Sequence, residues 1–204
     1  MSHPRPDDDV IALLSAPVHA ETLGRLHRRL EQQAERAGLI DVAYTTVDSP
    51  VGKLLLAATG RGLVRVAYAS EDHDRVLEVL GQKLSLRILR APKRLEDAAR
   101  ELDEYFDRRR QVFDLRLDLS LSRGFRQLVQ QHLPEIGYGT TRSYRQVAEL
   151  VGNPKAVRAV GTACATNPLP IVVPCHRVLR TDGTLGGYIG GTEAKTALIN
   201  LEAA

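Results

Sequence analysis

Residues 143–165 read SYRQVAELVGNPKAVRAVGTACA, and this stretch decides the fold of the second half of the chain. Ser143 stands where a helix N-cap belongs, ahead of a helix predicted over residues 144–151. Gly152-Asn153-Pro154 is a tight break, since glycine supplies backbone freedom and proline removes a donor. A second helix is predicted from Lys155 to Ala165. Two short helices joined by a glycine-containing turn are the layout of a helix-turn-helix, a motif that often reads DNA and is elsewhere only structural.

Upstream, Phe125 to Ile136 has the apolar spacing of an amphipathic helix, ended by Gly137-Tyr138-Gly139. Downstream, an apolar, strand-like run from Ile171 ends at Pro174, and a last helix is predicted over Glu193 to Ala203. The first half reads differently. Short β-rich runs at 42–47, 53–58 and 63–67 are separated by Ser49-Pro50-Val51-Gly52 and Gly60-Arg61-Gly62, which predicts an antiparallel meander. A helix over 72–84, a strand near 86–89, a helix over 93–109 and a last strand over 112–119 follow. Before all of this, residues 10–38 read as a helical extension with Leu23, Leu26, Leu30 and Ala37 on one face. The domains expected are therefore the extension (1–40), an α/β domain (41–120) and a mainly α domain with a helix-turn-helix (121–204).

Composition narrows the function. With 43% hydrophobic and 26% charged residues and no long uncharged apolar run, the chain has the make-up of a globular protein and no membrane role is expected. The acidic start (Asp7, Asp8, Asp9) lacks the layout of a secretory signal, so a cytoplasmic location is expected. The net charge is +3, and from Arg123 onward nine Lys and Arg face five Asp and Glu, so the basic excess sits with the half that would meet phosphates. Two cysteines, Cys164 and Cys175, are too few for a disulfide scaffold, and no Cys/His cluster has metal-ligand spacing. No metal and no cofactor are expected.

The chemistry concentrates in Pro174-Cys175-His176-Arg177-Val178. A lone cysteine is more often a small buried hydrophobe, but here an imidazole and a cation follow it directly and can favour the nucleophilic thiolate. Cys164, among small residues of the second helix, reads as structural.

Residues 125–202 closely resemble the O6-alkylguanine-DNA alkyltransferases. The resemblance rests on Thr141-Arg142-Ser143-Tyr144, Gly152-Asn153-Pro154, Arg158-Ala159-Val160-Gly161, Asn167-Pro168, Pro174-Cys175-His176-Arg177-Val178 and Gly186-Gly187-Tyr188-Ile189-Gly190-Gly191, in the family's order and spacing. Asp48-Ser49-Pro50-Val51-Gly52 resembles the start of such proteins, which implies a ribonuclease-H-like α/β N-terminal domain. The resemblance implies DNA repair by irreversible, single-turnover transfer of an alkyl group from O6-alkylguanine, with O4-alkylthymine left open, onto Cys175. His176 would take the thiol proton through a water, Glu202 would orient His176, Asn167 would hold the preceding loop, and Tyr144 would donate to the leaving guanine. Arg158 would fill the space of a flipped-out nucleotide, with Ala156, Ala159 and Gly161 allowing close approach to the minor groove of double-stranded DNA. Arg177 is placed with the DNA contacts, and Pro174, Val178, Tyr188 and Ile189 with the substrate pocket. A monomer working at the DNA, in the nucleoid of a bacterium, is expected.

The pattern departs from many members at Val129-Gln130, where Val-Trp is common, and at Ile136-Gly137, where Ile-Pro is common. At Ile189 some members carry a serine able to bond guanine O6, whereas isoleucine offers only its backbone N–H. Two other readings compete: a protein that senses alkylated bases without transfer, against which the acceptor thiol argues, and a thiol hydrolase, which needs an acyl pocket and oxyanion hole that adjacent Cys-His does not supply.

Overall fold

The computed structural model describes residues 20–203. Helix α1 (Ala20–Arg36) forms a unit of its own with the residues up to Leu39. Leu23, Leu26 and Leu30 are each about half exposed, at 54%, 52% and 52%. The part of the predicted extension before residue 20 lies outside the described residues.

The second unit begins at Ile40 with the meander: β1 (Val42–Val47), β2 (Leu54–Thr59) and β3 (Gly62–Tyr68), each antiparallel to the next. The β1–β2 turn forms because Ser49 Oγ accepts from Val51 N at 3.3 Å and donates to Gly52 O at 2.6 Å, with Gly52 at φ +97°. After α2 (His73–Lys83), the short β4 (Ile88–Arg90) joins parallel to β1, giving the order β3-β2-β1-β4. One face of the sheet, with Val42, Leu55, Ala57, Val64 and Ala67, packs with Val76 and Leu80 of α2. Helix α3 (Glu96–Phe106) buries Ala98, Leu102 and Tyr105.

Several elements differ from the sequence reading. The helix predicted over 93–109 is a 3-10 turn (Pro92–Leu95) followed by α3, which stops before Arg108 enters the left-handed region at φ +61°. Residues 112–119 are no strand. A single bridge, Leu63 to Leu117, is framed by Leu63 N donating to Arg116 O and Asp118 N to Leu63 O, both at 2.8 Å, and the alternation instead packs Phe113 on Tyr105. The apolar run from Ile171 is not extended either. Pro168, Pro170 and Pro174 remove ladder donors, Ile171 sits at φ +74°, and Cys175–Arg177 is a 3-10 turn.

The helical half opens with α4 (Phe125–His132), shorter than predicted because Pro134 turns its continuation into a 3-10 turn at Leu133–Glu135. The two-residue strand β5 (Arg142–Ser143) leads into α5 (Tyr144–Leu150), whose N-terminus carries a capping box: Ser143 Oγ accepts from Gln146 N, and Gln146 Oε1 from Ser143 N. Gly152, at φ +73°, makes the turn to α6 (Val157–Ala165). Gln130, one of the departures noted above, is buried and donates to Ala163 O at 3.1 Å, tying α4 to α6. Strand β6 (Val178–Leu179) pairs parallel to β5, and α7 (Gly191–Ala203) closes the described chain.

Candidate active site

The loop between α6 and β6 is buried, so its backbone polar groups need partners. Asn167 supplies them. Its Nδ2 donates to Val173 O at 2.8 Å, its Oδ1 accepts from Leu169 N at 3.0 Å, and the same Nδ2 lies 3.1 Å from Cys175 Sγ. The loop therefore carries the thiol on the side chain that holds it together. Cys175 is 2% exposed. Burial pushes its pKa up to about 11, with the Asn167 hydrogen bond and the Lys195 charge pulling weakly the other way. The resting group is a thiol, not the thiolate that the neighbouring His and Arg suggest, because desolvation dominates.

His176 is fully buried. Burial holds its pKa below the ordinary 6.5, against the pull of Glu202. For Glu202 burial pushes upward, but hydrogen bonds from His176, Arg177 and Tyr105 outweigh it and hold the carboxyl at about 2. A carboxylate only accepts, so the 2.8 Å contact between His176 Nε2 and Glu202 Oε1 puts the imidazole hydrogen on Nε2. Nδ1 is left as a bare acceptor, buried and without a protein partner. This histidine is set to take a proton.

Glu202 is the hub. Its Oε1 also accepts from Arg177 Nη2 at 2.9 Å and Tyr105 Oη at 2.6 Å, and its Oε2 from Arg177 Nε at 2.8 Å and Gly139 N at 3.3 Å. Arg177 Nη1 bonds Ile136 O at 2.5 Å. Arg177 is thus turned inward and buried, which corrects its expected place at the DNA: next to a buried carboxylate, the guanidinium pairs with it.

Tyr144, at the start of α5, is half-buried against Gly186, where any Cβ would overlap its hydroxyl. Burial raises its pKa to about 12, so it stays a donor. Pro174 and Val178 flank the turn and are buried. Tyr188 stands edge-on to His176, with ring centroids 6.4 Å apart. Ile189 lines a groove of about 380 Å³ with Arg65, Arg75, Arg126 and Thr166. Arg158 and Ala159 are exposed on α6, with Ala156 and Gly161 partly covered. Cys164 is buried, and desolvation raises its pKa.

Two site residues escaped the sequence reading. Lys195 is fully buried, donates from Nζ to Val178 O at 2.6 Å, and has its pKa lowered by burial. A helical lysine ordinarily reads as solvated, but its spacing to Leu198 and Glu202 puts it on the buried stripe. Tyr105 was legible as core; that its hydroxyl serves Glu202, 97 residues away, was not.

Among the described residues no group of three or more His, Cys, Asp or Glu could hold a metal, and no helix is long and apolar enough to cross a membrane.

Comparison with known proteins agrees with this geometry. The family model described as 6-O-methylguanine DNA methyltransferase, ribonuclease-like domain, matches residues 42–119, and that described as its DNA binding domain matches residues 124–204. The methylated-DNA–protein-cysteine methyltransferase of Methanosarcina barkeri is 37% identical over 159 residues, covering 78% of this chain and 96% of that protein. The constitutive enzyme of the same name from Bacillus subtilis is 40% identical over 160 residues, covering 78% and 94%. The crystal structure of Mycobacterium tuberculosis OGT in complex with DNA superposes with a TM-score of 0.66 at 39% identity, covering 79% of this chain and 92% of that one. With an α/β ribonuclease-like half, a helical DNA-binding half and relatives matched over nearly their whole length, the chain belongs to the 6-O-methylguanine DNA methyltransferase family.

Proposed function

We propose that the protein repairs DNA by direct reversal, moving an alkyl group from O6-alkylguanine onto Cys175 in a single, irreversible turnover. The observation that carries this reading is the buried thiol, bonded to Asn167, next to an imidazole whose Nδ1 is a free acceptor and whose Nε2 is fixed by Glu202. In the step proposed, His176 Nδ1 takes the thiol proton through a water. The sulphur attacks the alkyl carbon in line, the S–C bond forms as the C–O6 bond breaks, and the electron pair returns to the guanine ring. Tyr144 donates a hydrogen bond to the ring as that charge builds, and the proton balance closes when guanine regains its N1–H. The product is a thioether, which no water step reverses.

The helix-turn-helix is the DNA-facing surface in this reading. Arg142, Arg145, Lys155 and Arg158 are exposed there, and Glu149 is the one acid between residues 142 and 165. Arg158 enters the minor groove and fills the stack that the flipped nucleotide leaves, with Ala156, Ala159 and Gly161 giving the backbone room. Residues 41–120 serve as scaffold, 121–204 carry DNA binding and chemistry, and a monomer suffices.

Intact-mass spectrometry after incubation with duplex DNA holding one O6-methylguanine tests this. A gain of one methylene per protein, abolished in Cys175→Ser and retained in Cys164→Ser, is the expected result. Selective binding of the lesion with unchanged protein mass would replace transfer by sensing.

A further inference from the structure

Tyr68 ends β3, far in sequence from every motif that carries the chemistry, yet its side chain meets Tyr188 and Gly190 in the loop beside His176. It is 2% exposed, and its hydroxyl lies 2.9 Å from that of Tyr188, with the two rings edge to face at 5.8 Å. Its ring lies flat against the loop that follows. A Cβ on Gly190 would lie 2.5 to 2.7 Å from three Tyr68 ring carbons, so the backbone there can touch the ring only as glycine. Tyr188 therefore bonds Tyr68 through its hydroxyl while its ring stands nearly perpendicular to that of His176. Both hydroxyls are near enough to Cys175 for a thiolate there to add to the rise that burial gives their pKa values.

The base of Tyr68 is braced as well. Glu71 Oε1 accepts from Tyr68 N at 2.9 Å, and Glu71 Oε2 pairs with Arg65. Arg65 Nη1 reaches Pro168 O at 3.3 Å, where Val66 N also donates at 2.9 Å. Pro168 follows Asn167, the residue bonded to the sulphur. The end of β3 thus grips the site on two sides: the Asn167 side through Pro168, and the Tyr188 side through Tyr68.

We infer that Tyr68 is a positioning residue for alkyl transfer, setting through Tyr188 and Gly190 the wall that limits the size of the alkyl group able to reach Cys175. The inference rests on the transfer reading and adds a residue from the opposite half of the chain. The two hydroxyls are part-buried and bonded to each other, so Tyr68→Phe removes a partner of Tyr188 and loosens it without emptying the space. Tyr68→Ala also opens the volume behind Gly190.

The test is single-turnover transfer from duplexes carrying O6-methylguanine or O6-benzylguanine, measured for the wild type and both variants alongside DNA affinity and thermal midpoint. Tyr68→Phe is expected to slow methyl transfer by about three- to ten-fold at unchanged DNA affinity. Tyr68→Ala is expected to raise the benzyl-to-methyl rate ratio by about ten-fold or more, a change that a general loss of folded protein cannot produce because it scales both rates alike. Wild-type transfer with the same ratio in both variants would overturn the role of Tyr68 and leave the transfer reading standing. Absence of any mass gain in the wild type would overturn both.

Discussion

The two residues next to each other in sequence, Cys175 and His176, reach their working states by opposite routes through the same burial. Desolvation keeps the thiol protonated and the imidazole neutral, so the pair holds a proton on sulphur and an unprotonated lone pair on nitrogen. The pH dependence follows with a definite sign. His176 has a folded pKa below its ordinary 6.5, so the transfer rate should be level around neutrality and fall as acid protonates Nδ1, at a midpoint under that value in a quenched single-turnover series. His176→Gln should lower the rate by about 10²- to 10⁴-fold with little loss of stability. Stability has the same direction. A depressed folded pKa means that the unfolded chain takes protons first, so His176 and Glu202 stabilise above their ordinary values of 6.5 and 4.5; the His176 contribution fades as pH falls below 6.5, and that of Glu202 as pH falls toward 2. Glu202→Gln leaves the buried Arg177 guanidinium facing a neutral amide, and should cost about 3–5 kcal/mol in a denaturant titration. Adding Arg177→Met should recover part of that loss. Cys175 and His176 stood out because they adjoin in one short motif, whereas Asn167 and Glu202 were named only through the resemblance; the inward turn of Arg177 was not legible, because a charge in sequence does not say which neighbour will neutralise it.

At the level of elements, the helix-turn-helix was legible because its signals are local: Ser143 and Gln146 make a capping box, and Gly152 needs φ +73° to turn the chain. Ser143→Ala should therefore cost about 1 kcal/mol, seen as a lower midpoint of chemical unfolding. On the same unit, Lys155→Ala removes an exposed charge from the proposed DNA-facing surface, and should weaken binding to lesion-bearing and plain duplexes alike and reduce the slope of log affinity against log salt by about one. The failures were elements whose outcome depends on distant partners. Alternation over 112–119 was real, but the segment finds an aromatic ring and one bridge in place of a strand neighbour. The apolar run before Cys175 looked extended because periodicity does not register three prolines, each of which removes the hydrogen a ladder requires. The meander, by contrast, was legible end to end, since both of its turns carry their own chemistry.

Across the unit from Ile40 onward, the ribonuclease-like half is more than a carrier for the helical half. Tyr105 donates to Glu202, Val66 to Pro168, and Tyr68 meets Tyr188, so three neighbours of the reactive turn each have one support from the other half of the chain. A fragment of residues 121–204 should consequently be less stable than the full chain and transfer slowly, while the full chain from Ile40 should lose near- and far-ultraviolet circular dichroism in one coincident transition. None of these cross-chain pairs could be read from sequence, where their members stand about a hundred residues apart. The carboxylate of Glu202 has one more consequence. Because it seals the His176 Nε2 hydrogen inside the protein, that single proton should resonate far downfield in an NMR spectrum, exchange with solvent only as slowly as the whole unit opens, and so report with one peak whether the two halves are assembled.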